Sequence, residues 1–158
     1  MMNKINKFRG KYAFLSNFYP CIVEYDGWTY PSVEHAFQAA KSLDMEVRKG
    51  FRVCPSSADA KKLGRKVKLR PDWNDVKLSI MKSLVRDKFN RNIADVDLTQ
   101  KLLDTGDCYL EEGNNHRDTF WGTVNGEGRN ELGRILMEVR DELQQNAPSL
   151  VSTLYTII

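Results

Sequence analysis

Apolar residues recur along this chain in two rhythms. Up to residue 31, aromatic and β-branched residues come in short bursts, KYAFL (11–15), CIVEYD (21–26) and WTYP (28–31). Such bursts predict short strands, and Asp26-Gly27 between the last two predicts a hairpin turn. From residue 32 the apolar spacing lengthens to three and four, the period of an amphipathic helix. Helices are predicted over 32–43, with Ser32 as N-cap after Pro31, over 44–52, and over 57–67 from the Ser56-Ser57 cap. Further helices are predicted over 72–90, 97–104 and 131–145. In 72–90, Val76, Ile80, Met81, Leu84 and Phe89 keep the 3.6-residue period, and Asp72 can cap the start. CYLEE (108–112) predicts a strand, and residues 113–130 a polar, glycine-bearing loop. The last stretch, SLVSTLYTII, is apolar and β-prone, and predicts an edge strand or a crossing segment, with an oligomer contact as the alternative. The whole pattern predicts an α+β fold: a compact, mainly helical single domain with a few short strands. Residues 1–146 form that domain, and the tail 147–158 packs on it.

The first helix adds something periodicity does not require. Val33, Ala36, Phe37 and Ala40 share one face, which predicts core. Glu34, Gln38 and Lys41 form a neighbouring stripe on the border of that face, while His35 and Ser42 point toward solvent. Glu34 and Lys41 are seven residues apart, about 10 Å along a helix axis. That is too far for a simple helical pair. A carboxylate and an amine flanking one cavity can supply an electrostatic stabiliser and a nucleophile or acid. The blander reading is the waterline of an amphipathic helix.

Two loops share an unusual composition. GKYAFLSNFYPC (10–21) interleaves Phe14, Phe18 and Tyr19 with Ser16 and Asn17, and HRDTFWG (116–122) sets Asp118 beside Phe120 and Trp121. Flat rings in loops either stack on a nucleobase or plug the core. Trp73, preceded by Lys68 and Arg70, reads in the same two ways. GEGRNELG (126–133) is neither a dinucleotide fingerprint nor a P-loop. Its glycines suit tight turns, and Gly133 close helix packing.

Composition narrows the classes. The 158 residues are 41% hydrophobic and 28% charged, as in soluble globular domains. A net charge of +3 suits an anionic ligand such as a phosphate ester but does not by itself argue for nucleic acid. Cys21, Cys54 and Cys108 form no C-x-x-C pair, which argues against a disulfide framework and for a cytoplasmic protein with buried structural thiols. No apolar run has the length of a signal core or a membrane span, so no membrane partner is expected.

FLSNFYPC, YPSVEHAFQAAK, AKKLGR, LRPDWNDVK, TGDCYLEE, DTFWG and GRNELGRILMEVR, in that order, resemble the NADAR (YbiA-like) family. The resemblance runs over roughly residues 8–143. It implies an α+β fold and hydrolysis of an N-glycosidic bond between ribose, as ribose-phosphate or ADP-ribose, and a nitrogenous base. Family substrates include ribosylamino-pyrimidine phosphates of riboflavin synthesis and ADP-ribosyl-guanine in nucleic acid. The implied partners are therefore a phosphorylated ribosyl or ADP-ribosyl substrate and ADP-ribosylated nucleic acid; no metal or organic cofactor is implied. By motif, Glu34 matches the family's acidic position and Lys41 its lysine, which engages the sugar C1. Trp73, Asp118, Ser16, Asn17 and Phe18 match further site positions. The expected catalytic residues are Glu34, Lys41 and Asp118. Arg9, Ser16, Asn17, Phe18, Gln38, Trp73, Trp121 and Asn130 are expected to bind substrate. The rival reading is a non-catalytic module that binds ADP-ribose or nucleic acid.

Overall fold

The computed structural model describes residues 3–90 and 96–156, with side-chain detail over 3–90 and 98–146. In chain order the elements are β1 (Lys4–Ile5), a 3-10 helix (Gly10–Leu15), β2 (Val23–Tyr25), β3 (Trp28–Tyr30), α1 (Val33–Ala40), α2 (Met45–Arg52), α3 (Ser57–Gly64), α4 (Trp73–Asn90), α5 (Val96–Asp104), β4 (Tyr109–Leu110) and α6 (Glu131–Thr156). The protein is α+β and mainly helical, as the pattern predicts. It divides into two units: residues 9–91, and residues 1–8 together with 92–158. Among the described residues, no helix is long and apolar enough to cross a membrane.

In the 9–91 unit the hairpin forms where expected. Asp26 (φ 51°) and Gly27 (φ 87°) both take the left-handed backbone that a two-residue turn between antiparallel strands demands. Its register pairs Val23 with Tyr30, and both side chains point into the core. Ser32 caps α1 by accepting the His35 amide, and Ser56 caps α3 by accepting that of Asp59. Asp44 caps α2 through the Glu46 amide. Asp72 departs from expectation: its carboxylate takes a bidentate bond from Arg70, while its main-chain carbonyl opens α4.

Helix α1 is the centre of this unit. All eight of its residues are buried, and α2, α3, α4 and the hairpin pack around it. The expectation that His35 and Ser42 face solvent is therefore wrong: they are 3% and 7% exposed. A helix wrapped on every side has no solvent face, and its polar side chains must find partners. His35 Nε2 bonds the Cys54 carbonyl, and Ser32 Oγ lies 2.6 Å from Nδ1. Ser57 Oγ reaches Ser32 Oγ at 2.9 Å.

Two other expectations are corrected. KYAFL is not a strand but most of the 3-10 helix, closed by Tyr12 N–H to the Arg9 carbonyl and Ser16 N–H to that of Ala13. Adjacent Phe14 and Leu15 are both buried, a spacing that strand alternation does not give. The tail is not an edge strand either, since α6 continues through Thr156. Extending a formed helix adds one bond per residue, which outweighs a weak β preference. The expected packing of 147–158 concerns side chains outside the described set. None of the three cysteines is in a disulfide, and each is partly exposed rather than buried.

In the other unit, β1 and β4 pair in parallel, Lys4 with Tyr109 and Ile5 with Leu110. Leu98 and Leu102 of α5 and Leu132, Ile135, Leu136, Val139 and Leu143 of α6 are buried there. At Gly133 a Cβ would stand 2.2 Å from the Leu110 carbonyl, so α6 can lie on β4 only because that position has no side chain.

Candidate active site

The polar stripe of α1 is real, and it is buried. Glu34 is 7% exposed, and its Oε1 accepts a 2.8 Å hydrogen bond from Gln38 Nε2 one turn on. The first-turn position also places Glu34 at the positive end of the α1 dipole. Gln38 is held from the far side by α3. A Cβ at Gly64 would fall 1.8 Å from Gln38 Oε1, so the bare backbone of Gly64 fixes where that amide sits. The same Oε1 has no hydrogen-bond partner.

Lys41 follows the last turn of α1 as its C-cap and is half-buried. Burial pushes its amine below the ordinary lysine range. The Glu34 carboxylate opposes that shift, and the cations of Arg65 and Lys61 add to it. A carboxylate and an amine seven residues apart therefore act on one another electrostatically. The balance left open by sequence falls on the side of desolvation. An amine so placed is more often neutral than a surface lysine, and a neutral amine is nucleophilic.

The SNF stretch is held at three successive residues by three different helices. The Ser16 carbonyl accepts from Lys88 Nζ at 2.9 Å, the Asn17 carbonyl accepts the Glu34 amide at 3.1 Å, and the Phe18 carbonyl accepts from Ser57 Oγ at 2.9 Å. Asn17 Nδ2 also points at Met81 Sδ, 3.6 Å away. With its carbonyls fixed by α4, α1 and α3, the loop leaves the Phe18 ring 40% exposed, with Lys61 Nζ 5.8 Å from its centroid. Large exposed rings over a cation suit stacking on a planar ligand. Lys88 was missed from the sequence, although a signal existed. It continues the Met81, Leu84, Val85 face of α4, where a lysine in an apolar stripe must be buried or bent outward. Here it is 3% exposed.

Other expected residues have different surroundings. Trp73 is 7% exposed and packs on Phe37 at 5.0 Å between ring centroids, a core contact. Arg9 is exposed at the entry of the 3-10 helix. A cavity of about 440 Å³, whose lining includes Tyr25, Arg48 and Arg70, contains none of the expected site residues.

Asp118, Trp121 and Asn130 belong to the other unit. Asp118 Oδ1 accepts the amides of Phe120 and Trp121 at 3.1 and 2.9 Å, a turn built by the carboxylate itself. The Phe120 and Trp121 rings meet edge to face at 4.8 Å, and the Arg129 guanidinium lies 4.7 Å from the Phe120 ring. Asn130 is buried with φ 52°; its amide donates to the Leu110 carbonyl and accepts from the Glu112 amide, joining β4 to the start of α6. Among the described residues, no group of three or more His, Cys, Asp or Glu side chains could hold a metal ion.

Relatives share this chain's sequence and fold. A riboflavin biosynthesis protein of Vibrio vulnificus, VVA0006, is 44% identical over 140 residues; the match covers 87% of this chain but only 37% of that longer protein. The N-glycosidase YbiA of Shigella boydii is 38% identical over 135 residues, 84% of this chain and 82% of its own. The solved structure of E. coli YbiA superimposes with a TM-score of 0.79 at 35% identity, over 93% of this chain and 89% of that one. The NADAR domain model matches residues 5–144, and the chain belongs to the NADAR domain family.

Proposed function

We propose that the chain hydrolyses the N-glycosidic bond of a phosphorylated ribosyl compound, with Glu34 and Lys41 as its working groups. The enzyme class is that of its relatives: the Shigella protein, matched over 82% of its length, is an N-glycosidase, and this chain is one too. The Vibrio relative is named for riboflavin biosynthesis, which favours a ribosylamino-pyrimidine phosphate over ADP-ribosyl-guanine as the compound cleaved. The observation that carries the assignment of residues is a half-buried amine under the influence of a buried carboxylate on the same helix.

Breaking the bond builds positive charge at the sugar C1 and negative charge on the departing base. The Glu34 carboxylate, oriented by Gln38, stabilises the first. The Lys41 lone pair then forms a bond to C1 as the C1–N pair leaves with the base, which takes up a proton. The ribosyl–lysine adduct opens to an imine, and water returns the free sugar and the amine. Phe18 stacks the base.

Borohydride added during turnover should leave a reduced ribosyl adduct on the peptide carrying Lys41, detected by mass spectrometry. No adduct, with full activity in Lys41→Ala, removes the covalent role. Glu34→Gln separates enzyme from binder: turnover should fall by about 100-fold or more, whereas a passive binder of an anion would keep or gain affinity. Unchanged product formation from every ribosyl N-glycoside offered, with and without the protein, overturns the function.

A further inference from the structure

The reading above leaves one group of side chains unused. Between Asp59 and Asp72 the chain carries six basic residues and no acidic one: Lys61, Lys62, Arg65, Lys66, Lys68 and Arg70. Arg70 is paired with Asp72. Lys61 and Arg65 have no ion pair among the described residues.

Geometry puts these two at the site. Gly64 lies against Gln38, the residue holding Glu34. Three residues back along α3, Lys61 shares the Gly64 face, and its Nζ sits over the exposed Phe18 ring at 5.8 Å. Arg65 follows Lys61 by four residues and so stands beside it at the α3 C-terminus. Both cations act on the Lys41 amine. Two cations without an ion pair among the described residues thus lie near the half-buried Lys41 amine, one of them over the exposed Phe18 ring.

We propose that Lys61 and Arg65 form an oxyanion subsite that holds the phosphate of the substrate, one sugar ring away from Lys41. This deepens the function proposed above and rests on it for the placement of the sugar. An arginine fork and a lysine ammonium on one side of a sugar are the donors a phosphate dianion takes. They would select a ribosyl compound that carries a phosphate over the same nucleoside without one. The phosphate of a monophosphate ester and the diphosphate of ADP-ribose share this chemistry.

The test compares kcat/KM for a ribosylamino-pyrimidine phosphate with that for its dephosphorylated nucleoside, in wild type and in Lys61→Gln/Arg65→Gln. The ratio should fall by about 10- to 100-fold, through KM rather than kcat. The exposed pair Lys62→Gln/Lys66→Gln reports the effect of bulk charge and should leave the ratio in place. An unchanged ratio in the first variant, or an equal fall in the second, overturns the subsite. Replacing the phosphate ester by ADP-ribosyl-guanosine distinguishes the two phosphate sources, since the compound of higher kcat/KM should also lose more in the first variant. A binding readout keeps the subsite separate from the reaction. Ribose 5-phosphate, followed by chemical-shift titration, should bind wild type at least 10-fold more tightly than ribose does, and the first variant should lose that margin. With binding intact and turnover absent, the hydrolase reading falls and the subsite stands; equal binding of ribose and ribose 5-phosphate overturns the subsite.

Discussion

Gly64→Ala is a substitution that helix propensity and packing judge in opposite directions. Gly64 closes α3, and its backbone is not in the left-handed region, so alanine can adopt it. On propensity alone the change stabilises by at most about 1 kcal/mol. The new Cβ would stand 1.8 Å from Oε1 and 2.6 Å from Cδ of Gln38, inside any real contact distance. Gln38 is 6% exposed and has little room to retreat. Overpacking costs about 1–3 kcal/mol, and losing the bond from Gln38 to the Glu34 carboxylate about 1.5–3 kcal/mol. The expected net effect is a loss of about 1.5–5 kcal/mol in urea unfolding, with kcat reduced as Glu34 loses its support. A double-mutant cycle sharpens this. In a Gln38→Ala background the clash is gone, so Gly64→Ala should become neutral or stabilising there. If Gly64→Ala is as stable and as active as wild type, or if its effect is the same in both backgrounds, Gly64 does not set the position of Gln38.

Three further outcomes follow from the same geometry. The rate should climb with pH through the Lys41 pKa, which burial holds below 10.5. Because Glu34 raises that pKa, the ascending limb of the residual activity of Glu34→Gln should move to lower pH, and a move to higher pH contradicts the coupling. The Tyr30 hydroxyl is buried with no hydrogen-bond partner, so Tyr30→Phe should raise the unfolding free energy by about 1 kcal/mol, and a loss of similar size would reveal a partner. Lys88→Met leaves the Ser16 carbonyl without its 2.9 Å donor; it should cost about 1–3 kcal/mol and speed amide exchange around Ser16–Phe18, whereas unchanged exchange there would detach Lys88 from the loop.

How far the site could be read from residues alone is clearest on α1. Val33, Ala36, Phe37 and Ala40 are core, as their spacing requires, and the Glu34–Gln38–Lys41 stripe lies together, as a wheel of 100° per residue requires. A wheel ranks positions by angle, however, and cannot say how many sides of a helix are covered. His35 fell on the presumed solvent side and is buried, because Ser32 and the Cys54 carbonyl, nineteen residues away in sequence, satisfy both ring nitrogens. Partners of that kind are supplied by tertiary contacts and leave no periodic trace. Local chemistry was more legible where one residue type was required by backbone geometry, as with Asp26-Gly27 in the hairpin and Gly133 under the Leu110 carbonyl. Gly64 had the same meaning and no visible signal, since a glycine at a helix end reads first as a stop. Its role emerges only when α3 is laid against α1 and the missing methyl turns out to be the space that Gln38 occupies. The basic run of residues 60–71 was not singled out by the sequence reading, because its use depends on that same packing, which sets Lys61 over Phe18. Residue types thus disclosed which groups could do the chemistry, and helix-on-helix packing decided which of them meet.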